Sequence, residues 1–408
     1  MQPQRRLSGT GFTVLHLVQP VDGGVARVVT GLVAAQVESG VRSVVACPDH
    51  GPLAGAAARQ GAEVHVWRAT RDPRLGLFDE VKRVARLVEL IRPDLIHAHS
   101  AKAGFAGRLA VRGRVPTVFQ PHAWSFEAVG GVTELLARQW ERWAVRWTDR
   151  VICVSEAERR TGERAGIVAA CSVVHNGVDV GHFAPTDSGP AAPLPATAPS
   201  AAVSGALAAR ASLPLLAELE PATPVVVCVG RLCRQKGQDI LLRAWQTVVR
   251  QLPQARLVLV GDGPDADELR GTAPPSVLFA GAVQDTAPWY RAADLVVQPS
   301  RWEGMAVAPL EAMASGRPVV LSDVDGARES LPPGREAACL TPPEDPPALA
   351  AAVSALLRDG PLREAIGRQG HQHVLSTYDV RRTARAVADV YREVVAVPRP
   401  ERREPIPQ

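Results

Sequence analysis

The chain has 408 residues, 46% hydrophobic and 4% aromatic, which sets the scale at two or three domains with more than one core. Its formal charge of +4 is dispersed, with no dense Lys/Arg block and no nucleic-acid motif, so nucleic acid is not an expected partner. The six cysteines (Cys47, Cys153, Cys171, Cys228, Cys233 and Cys339) form no CxxC pair and mostly sit in apolar runs, which argues for a reducing compartment and against a disulfide framework or a zinc site.

The N-terminal "MQPQRRLSGTGF" has no apolar stretch of signal-peptide length, so export is not expected. The first half then alternates short apolar runs with amphipathic ones. "FTVLHLV", "VRSVVAC", "AEVHVW", "DLIHAH", "TVFQPH" and "RVICVS" read as strands, with helices at 24–39, 77–91 and 132–148 among the stretches between them. Continuous Val/Ile/Leu strands imply a parallel sheet covered on both faces, and a helix after each strand implies doubly wound topology.

An Ala/Pro/Ser tract at 185–222 follows and reads as a linker or surface insertion; its prolines and weak hydrophobicity exclude a membrane span. The alternation then restarts with "PVVVCVG", "ARLVLVG", "SVLFAG", "DLVVQP" and "RPVVLS", with helices at 237–251, 286–292, 309–315, 346–357 and 361–376. The expected organisation is α/β. A Rossmann-like domain over 1–184 and a second over 223–378 face a cleft, a helix over 379–397 packs back on the first domain, and 398–408 form a polar tail. Ligands of such folds bind at the carboxyl ends of the strands.

The residues that carry chemistry cluster at those strand ends. In "VCVGRLCRQKGQDILL", Arg231 and Lys236 lie with Gly230 and Gly237 in a loop between strand and helix, where two cations and helix amides suit a diphosphate. "VLVGDGPDADELR" puts Gly261 and Gly263 at the next strand end, as a wall of the same pocket; turn geometry alone also demands glycine there. "RWEGMAVAPLEAMASGRPVV" carries two acids. Glu303 sits in the loop, and Glu311 is expected in the first turn of a helix opened by Pro309. Ala308 excludes a capping box for Glu311. Two acids a loop's width apart can each accept hydrogen bonds from a diol, with the amides of Met305, Ala306, Val307 and Ala308 pointing between them.

Taken in order, these motifs resemble those of a retaining GT-B glycosyltransferase, the family 4-like group with two glutamates separated by seven residues. The resemblance rests on Gly23-Gly24, "HAHSAKAGFAGRLA", "PHAW", "VSEAER", "HNGVD", "GRLCRQKG" and "WEGMAVAPLEAMASGRPVV", and covers the chain apart from 185–222 and the tail. It implies that Arg231 and Lys236 hold the donor diphosphate, that Glu311 binds the ribose hydroxyls and that Glu303 contacts the transferred sugar. It also implies that Gly23 and Gly24 let the backbone approach the diphosphate or acceptor, and that His122 faces the reacting sugar. Two positions depart from the pattern: Met305-Ala306 stand in place of Phe-Gly, and Ala123 in place of the glycine after His122.

The implied reaction moves a sugar from a UDP- or GDP-sugar to a hydroxyl on a glycan, lipid-linked or small-molecule acceptor. The implied route is front-face attack, in which the acceptor proton passes to the departing phosphate. No cofactor is expected. His97 and His99 form an H-x-H, but no acid or thiol is read as completing a ligand set, so no metal site is expected either. The implied location is cytoplasmic, with the inner membrane face as a peripheral contact. "LLARQWERWAVRWTDR" interleaves tryptophans and arginines at helical spacing; a core-facing stripe is preferred there to a membrane-lying face. Two alternatives stay open, a GT-B sugar-nucleotide 2-epimerase and a non-catalytic nucleotide-sugar-binding scaffold. Loss of turnover in Glu303→Ala and Lys236→Ala separates an enzyme from a scaffold.

Overall fold

Strands without a polar face need cover on both sides, and two parallel sheets flanked by helices provide it. A computed structural model of the protein describes residues 11–70, 76–185 and 201–397. The first sheet comprises β1 (Thr13–Val18), β2 (Arg42–Cys47), β3 (Glu63–Val66), β4 (Leu95–His99), β5 (Thr117–Gln120), β6 (Arg150–Cys153) and β7 (Cys171–Val173), in the order β3-β2-β1-β4-β5-β6-β7. The second comprises β8 (Val225–Val229), β9 (Arg256–Val260), β10 (Val277–Gly281), β11 (Leu295–Gln298), β12 (Val319–Ser322) and β13 (Leu340–Thr341), in the order β10-β9-β8-β11-β12-β13. Every strand pairing is parallel. Strand order reverses between β1 and β4 and again between β8 and β11, and the crevice of such a fold opens at those points. The short strands β7 and β13 were not read from sequence.

The Ala/Pro/Ser tract is in part a structural element rather than a linker. Residues 186–200 of it lie outside the described residues, as does the polar tail at 398–408. Ala201–Ala211, however, form a helix followed by buried Leu213 and Leu216. Arg210 of that helix is buried, and its guanidinium donates to Asp294 Oδ2 at 2.7 Å and to the carbonyls of Ala292 and Thr223. An alanine-rich run favours helix over linker wherever a neighbour can cover it.

At the other end, Val380–Ala396 buries Thr383, Ala384, Val387, Val390, Tyr391 and Val394, a stripe at helical spacing. It packs on the helix Gly23–Glu38 of the first domain. Gly31 permits the crossing, because a Cβ there would lie 2.7 Å from Val380.

The Trp/Arg helix does not have the core-facing stripe expected of it. In Gly131–Ala144 only Glu141 and Ala144 are buried, while Leu136 is 63% and Trp143 40% exposed. Trp140 instead packs on Phe105, and Glu141 takes the buried Arg108 guanidinium at 2.8 Å.

Candidate active site

The loops after β8 and β11 pack together and bring the predicted residues into contact. Gly237 has φ 69°, and a Cβ there would lie 2.0 Å from the Pro299 carbonyl oxygen, so only glycine lets these loops meet. Lys236 Nζ donates to Glu303 Oε1 at 2.5 Å, and Ser300 Oγ donates to the same oxygen at 2.7 Å. Glu303 is 7% exposed. The cation read for the diphosphate and the acid read for the sugar therefore neutralise one another. Arg231 follows Gly230 at the end of β8; its Nε donates to Cys233 Sγ at 3.5 Å, and its carbonyl accepts from Gln238. Gly261 and Gly263 serve the backbone. A Cβ on Gly261 would meet the Gly230 carbonyl at 2.1 Å, and one on Gly263 would meet that of Leu232 at 2.2 Å. They let the β9 loop brace the loop that carries Arg231.

Glu311 lies deeper, 1% exposed. Its helix, Val307–Ala314, begins two residues before Pro309, so Glu311 lies beyond the first turn rather than within it. Pro309 is tolerated because the first amides of a helix have no intrahelical partner to lose. Tyr290 donates its hydroxyl to Glu311 Oε2 at 2.8 Å, and burial with the neighbouring charge holds that phenol protonated well above its usual range. Arg27, from the first domain, places Nε 2.7 Å from Glu311 Oε1. The alignment is not that of a hydrogen bond, and among the described residues both atoms are buried without one.

The two domains meet over this acid. A Cβ on Gly24 would lie 3.5 Å from Val307, so the N-terminus of the helix Gly23–Glu38 faces that of Val307–Ala314. Neither helix has a side-chain cap, which leaves two sets of amide donors and two positive dipole ends toward the same space. Met305 is buried and its carbonyl accepts from Asn176 at 2.8 Å; the Gly304 carbonyl accepts from Ser155 at 2.7 Å. The "VSEAER" and "HNGVD" motifs thus pin the Glu303–Val307 loop to the first domain, a contact that sequence spacing does not reveal. A signal existed only in their polar residues standing at apolar strand ends.

His122 and Ala123 follow β5 with φ 57° and 100°. An L-residue in that region costs about 1–3 kcal/mol, which the surroundings must offset. Glu158 Oε1 accepts from the Ala123 amide at 2.6 Å and Oε2 from the Val154 amide at 2.7 Å, fixing the turn. Burial raises Glu158 to about 8, although the two amide donors favour its charged form. Glu158 was not singled out from sequence. Burial lowers His122 to about 3, so the ring is neutral.

His99 is the last residue of β4, and His97 lies inside that strand. The structure adds a third ring, His16 of β1, within 4.8 Å at the nearest nitrogens. No Asp-x-Asp ligand set is expected from sequence near the donor loop, but the chain holds two such triplets, one of them just after Gly263. Asp265–Asp267 lies at the start of the helix Ala266–Thr272, while Asp323 and Asp325 take bonds from Arg328 and Thr161.

The arrangement can hold a diphosphate by cations and amides, and hydroxyl pairs by two acids. Comparison with known proteins bears on the family and the fold. Residues 22–182 match the family described as Glycosyltransferase Family 4, and residues 223–359 match that described as Glycosyl transferases group 1. A lipopolysaccharide core biosynthesis mannosyltransferase of Rhizobium leguminosarum bv. viciae is 31% identical over 264 residues, 62% of this chain and 67% of the relative. D-inositol 3-phosphate glycosyltransferase 2 of Catenulispora acidiphila is 33% identical over 330 residues, 73% of this chain and 70% of the relative. In fold, the Anabaena protein HepE in complex with UDP-glucose superposes with a TM-score of 0.76 at 24% identity, over 93% of this chain and 99% of that one.

Proposed function

The chain belongs to the glycosyltransferases of family 4 and group 1, and from that premise we propose how its cleft works: it transfers a sugar from a nucleoside diphosphate sugar to a hydroxyl acceptor with retention of anomeric configuration. The observation that carries the reading is Glu311 Oε1. It is a buried carboxylate oxygen without a hydrogen bond, below the meeting point of two uncapped helix N-termini and beside the loop holding the Lys236–Glu303 pair. A ribose hydroxyl supplies the hydrogen bond that Glu311 Oε1 lacks, displacing the Arg27 contact. The diphosphate takes the amides of Gly23, Gly24, Met305, Ala306 and Val307 together with Arg231 and Lys236, and the sugar hydroxyls take Glu303.

Charge builds on the diphosphate as the anomeric carbon becomes cationic. Preorganised cations and helix amides aimed at that charge lower the barrier. Lys236, which pairs with Glu303, turns to the phosphate as the donor enters. Arg231 and Lys236 then fill the role a metal plays elsewhere. The acceptor hydroxyl attacks from the face the phosphate leaves and gives it its proton.

UDP heads the candidate nucleotides, because HepE was captured with UDP-glucose. The acceptor class is a glycan or a lipid-linked saccharide, as the name of the Rhizobium relative suggests. The helix Gly131–Ala144 supports a peripheral membrane contact: Val132, Leu135 and Leu136 are exposed, and Arg138 and Arg142 lie on the same helix. No described helix is long and apolar enough to cross a membrane. A cytoplasmic site on the inner membrane face fits that helix and six free cysteines.

The test is release of nucleoside diphosphate from a panel of UDP- and GDP-sugars with glycan and lipid-linked acceptors, followed by NMR of the product anomer. Turnover with one donor and a retained anomer are expected. An inverted product would remove the front-face mechanism, and epimerisation at C2 without acceptor would replace transfer altogether.

A further inference from the structure

Beneath His122 a line of side chains runs through the first domain. Gln36, on the helix Gly23–Glu38, places Oε1 2.8 Å from His16 Nε2. His16 Nδ1 lies 3.0 Å from His99 Nε2, and His99 Nδ1 lies 3.1 Å from His122 Nε2. Gln36 and the two inner rings are buried. The Gln36 amide is oriented by its other partners. Ser43 Oγ donates to Oε1 at 2.8 Å, and the amide nitrogen faces the Tyr391 hydroxyl at 3.4 Å, which in turn lies 2.7 Å from His97 Nδ1.

We propose that Gln36, acting through His16 and His99, fixes the proton of His122 on Nε2 and so makes Nδ1 of that ring a hydrogen-bond acceptor for a substrate hydroxyl. An amide oxygen accepts and never donates, so the proton between Gln36 and His16 belongs to His16 Nε2. A neutral imidazole carries one N–H, so His16 Nδ1 is bare and accepts from His99 Nε2–H. The same step repeats: His99 Nδ1 is bare and accepts from His122 Nε2–H. His122 Nδ1, which takes no bond from the described residues, is then the bare end of the line. The alternation needs every ring neutral. Burial lowers His16 to about 4 and His122 to about 3, and burial plus neighbouring rings hold His99 well below its usual value. The line therefore assigns His122 as an acceptor and not as a general acid.

With the line in place the same rings do not share a metal ion, although the nitrogens of His16, His97 and His99 lie close enough together for one. The lone pairs of His16 and His99 are already directed along the line, at the next ring's N–H. Only His97 Nε2 is buried without a bond.

The inference rests on the reading that His122 faces the reacting sugar, and the experiment separates the two. Long-range 1H–15N correlation of 15N-histidine-labelled protein at pH 7 reads each tautomer directly. In the wild-type chain His16, His99 and His122 are expected neutral with the proton on Nε2. Gln36→Met keeps the size and removes the acceptor. It is expected to give His122 a mixed tautomer and to lower kcat about 10-fold, one hydrogen bond's worth, while KM for the nucleotide sugar holds within about twofold. An Nδ1–H or cationic His122 in the wild-type chain would overturn the proposal, and that spectrum needs no variant to fold. An unchanged His122 tautomer in Gln36→Met would overturn it equally. A changed tautomer with unchanged kcat would leave the line standing and remove His122 from the transfer step.

Discussion

Replacing Glu311 by Gln distinguishes a nucleoside subsite from a sugar subsite. The buried Oε1 that lacks a hydrogen bond is where the ribose is placed, and Gln presents at most one acceptor where the carboxylate presents two. A hydrogen bond to a charged group is worth about 1.5–3 kcal/mol, and 1.4 kcal/mol is tenfold in affinity. The loss of one such bond thus weakens binding about 10- to 150-fold. The lower end is expected, because Arg27 already stands 2.7 Å from that oxygen and must yield to the ribose. The fold should tolerate the change: Tyr290 keeps an acceptor, and the Arg27 side chain is 38% exposed, so water can take up its charge. Titration calorimetry with the nucleoside diphosphate and with its sugar conjugate reads the effect. The two should weaken by the same factor, since the ribose is common to both. Unchanged diphosphate binding, or a loss confined to the sugar nucleotide, would refute the assignment of Glu311.

Glu303→Gln should do the opposite, leaving the diphosphate bound as well as before or better, because Lys236 is released, while sugar-nucleotide affinity and turnover fall; an equal loss for both ligands would reverse the two roles. Gly304→Ala places a Cβ 2.6 Å from Glu158 Oε1 and 2.8 Å from the Ala123 amide, so overpacking of about 1–3 kcal/mol should push the donor loop off the first domain. Wild-type Tm and turnover in that variant would contradict the docking. His16, His97, His99 and His122 are neutral in the folded chain and titrate near 6.5 when unfolded, so the unfolded state binds more protons below that pH. Their contribution to stability should be complete above pH 6.5 and be lost between 6.5 and about 4, with Glu158, raised to about 8, giving a smaller slope of opposite sign; a urea midpoint that does not fall as pH drops through that window would show that the rings are not buried neutral. Arg210→Ala breaks a buried ion pair and should cost about 3–5 kcal/mol in a denaturant melt; a loss below 1 kcal/mol would return Ala201–Ala211 to the status of a linker.

The fold was legible because its strands are largely continuous Val/Leu/Ile runs, and every interval between successive strands exceeds a dozen residues, which is room for a crossover helix. The strands β7 and β13 escaped because three and two residues carry no periodicity. The helix Ala201–Ala211 escaped because alanine looks like low complexity until Asp294 supplies a partner for Arg210. At the site, charged residues in loops beside glycine announced Arg231, Lys236 and Glu303, and an acid without a capping partner on the helix opened near Pro309 announced Glu311. Their pairing did not show, because Lys236 and Glu303 meet across two loops 67 positions apart. Arg27 and Gln36 were invisible for a related reason. Each sits on an ordinary amphipathic helix, and only the approach of the second domain to Arg27, and of β1 to Gln36, gives it a task.

A crystal structure with the nucleoside diphosphate bound tests the central claim most directly. The account places the phosphates between the N-termini of Gly23–Glu38 and Val307–Ala314, within reach of Arg231 and Lys236, with the ribose on Glu311. A nucleotide seated anywhere else on the molecule would contradict it.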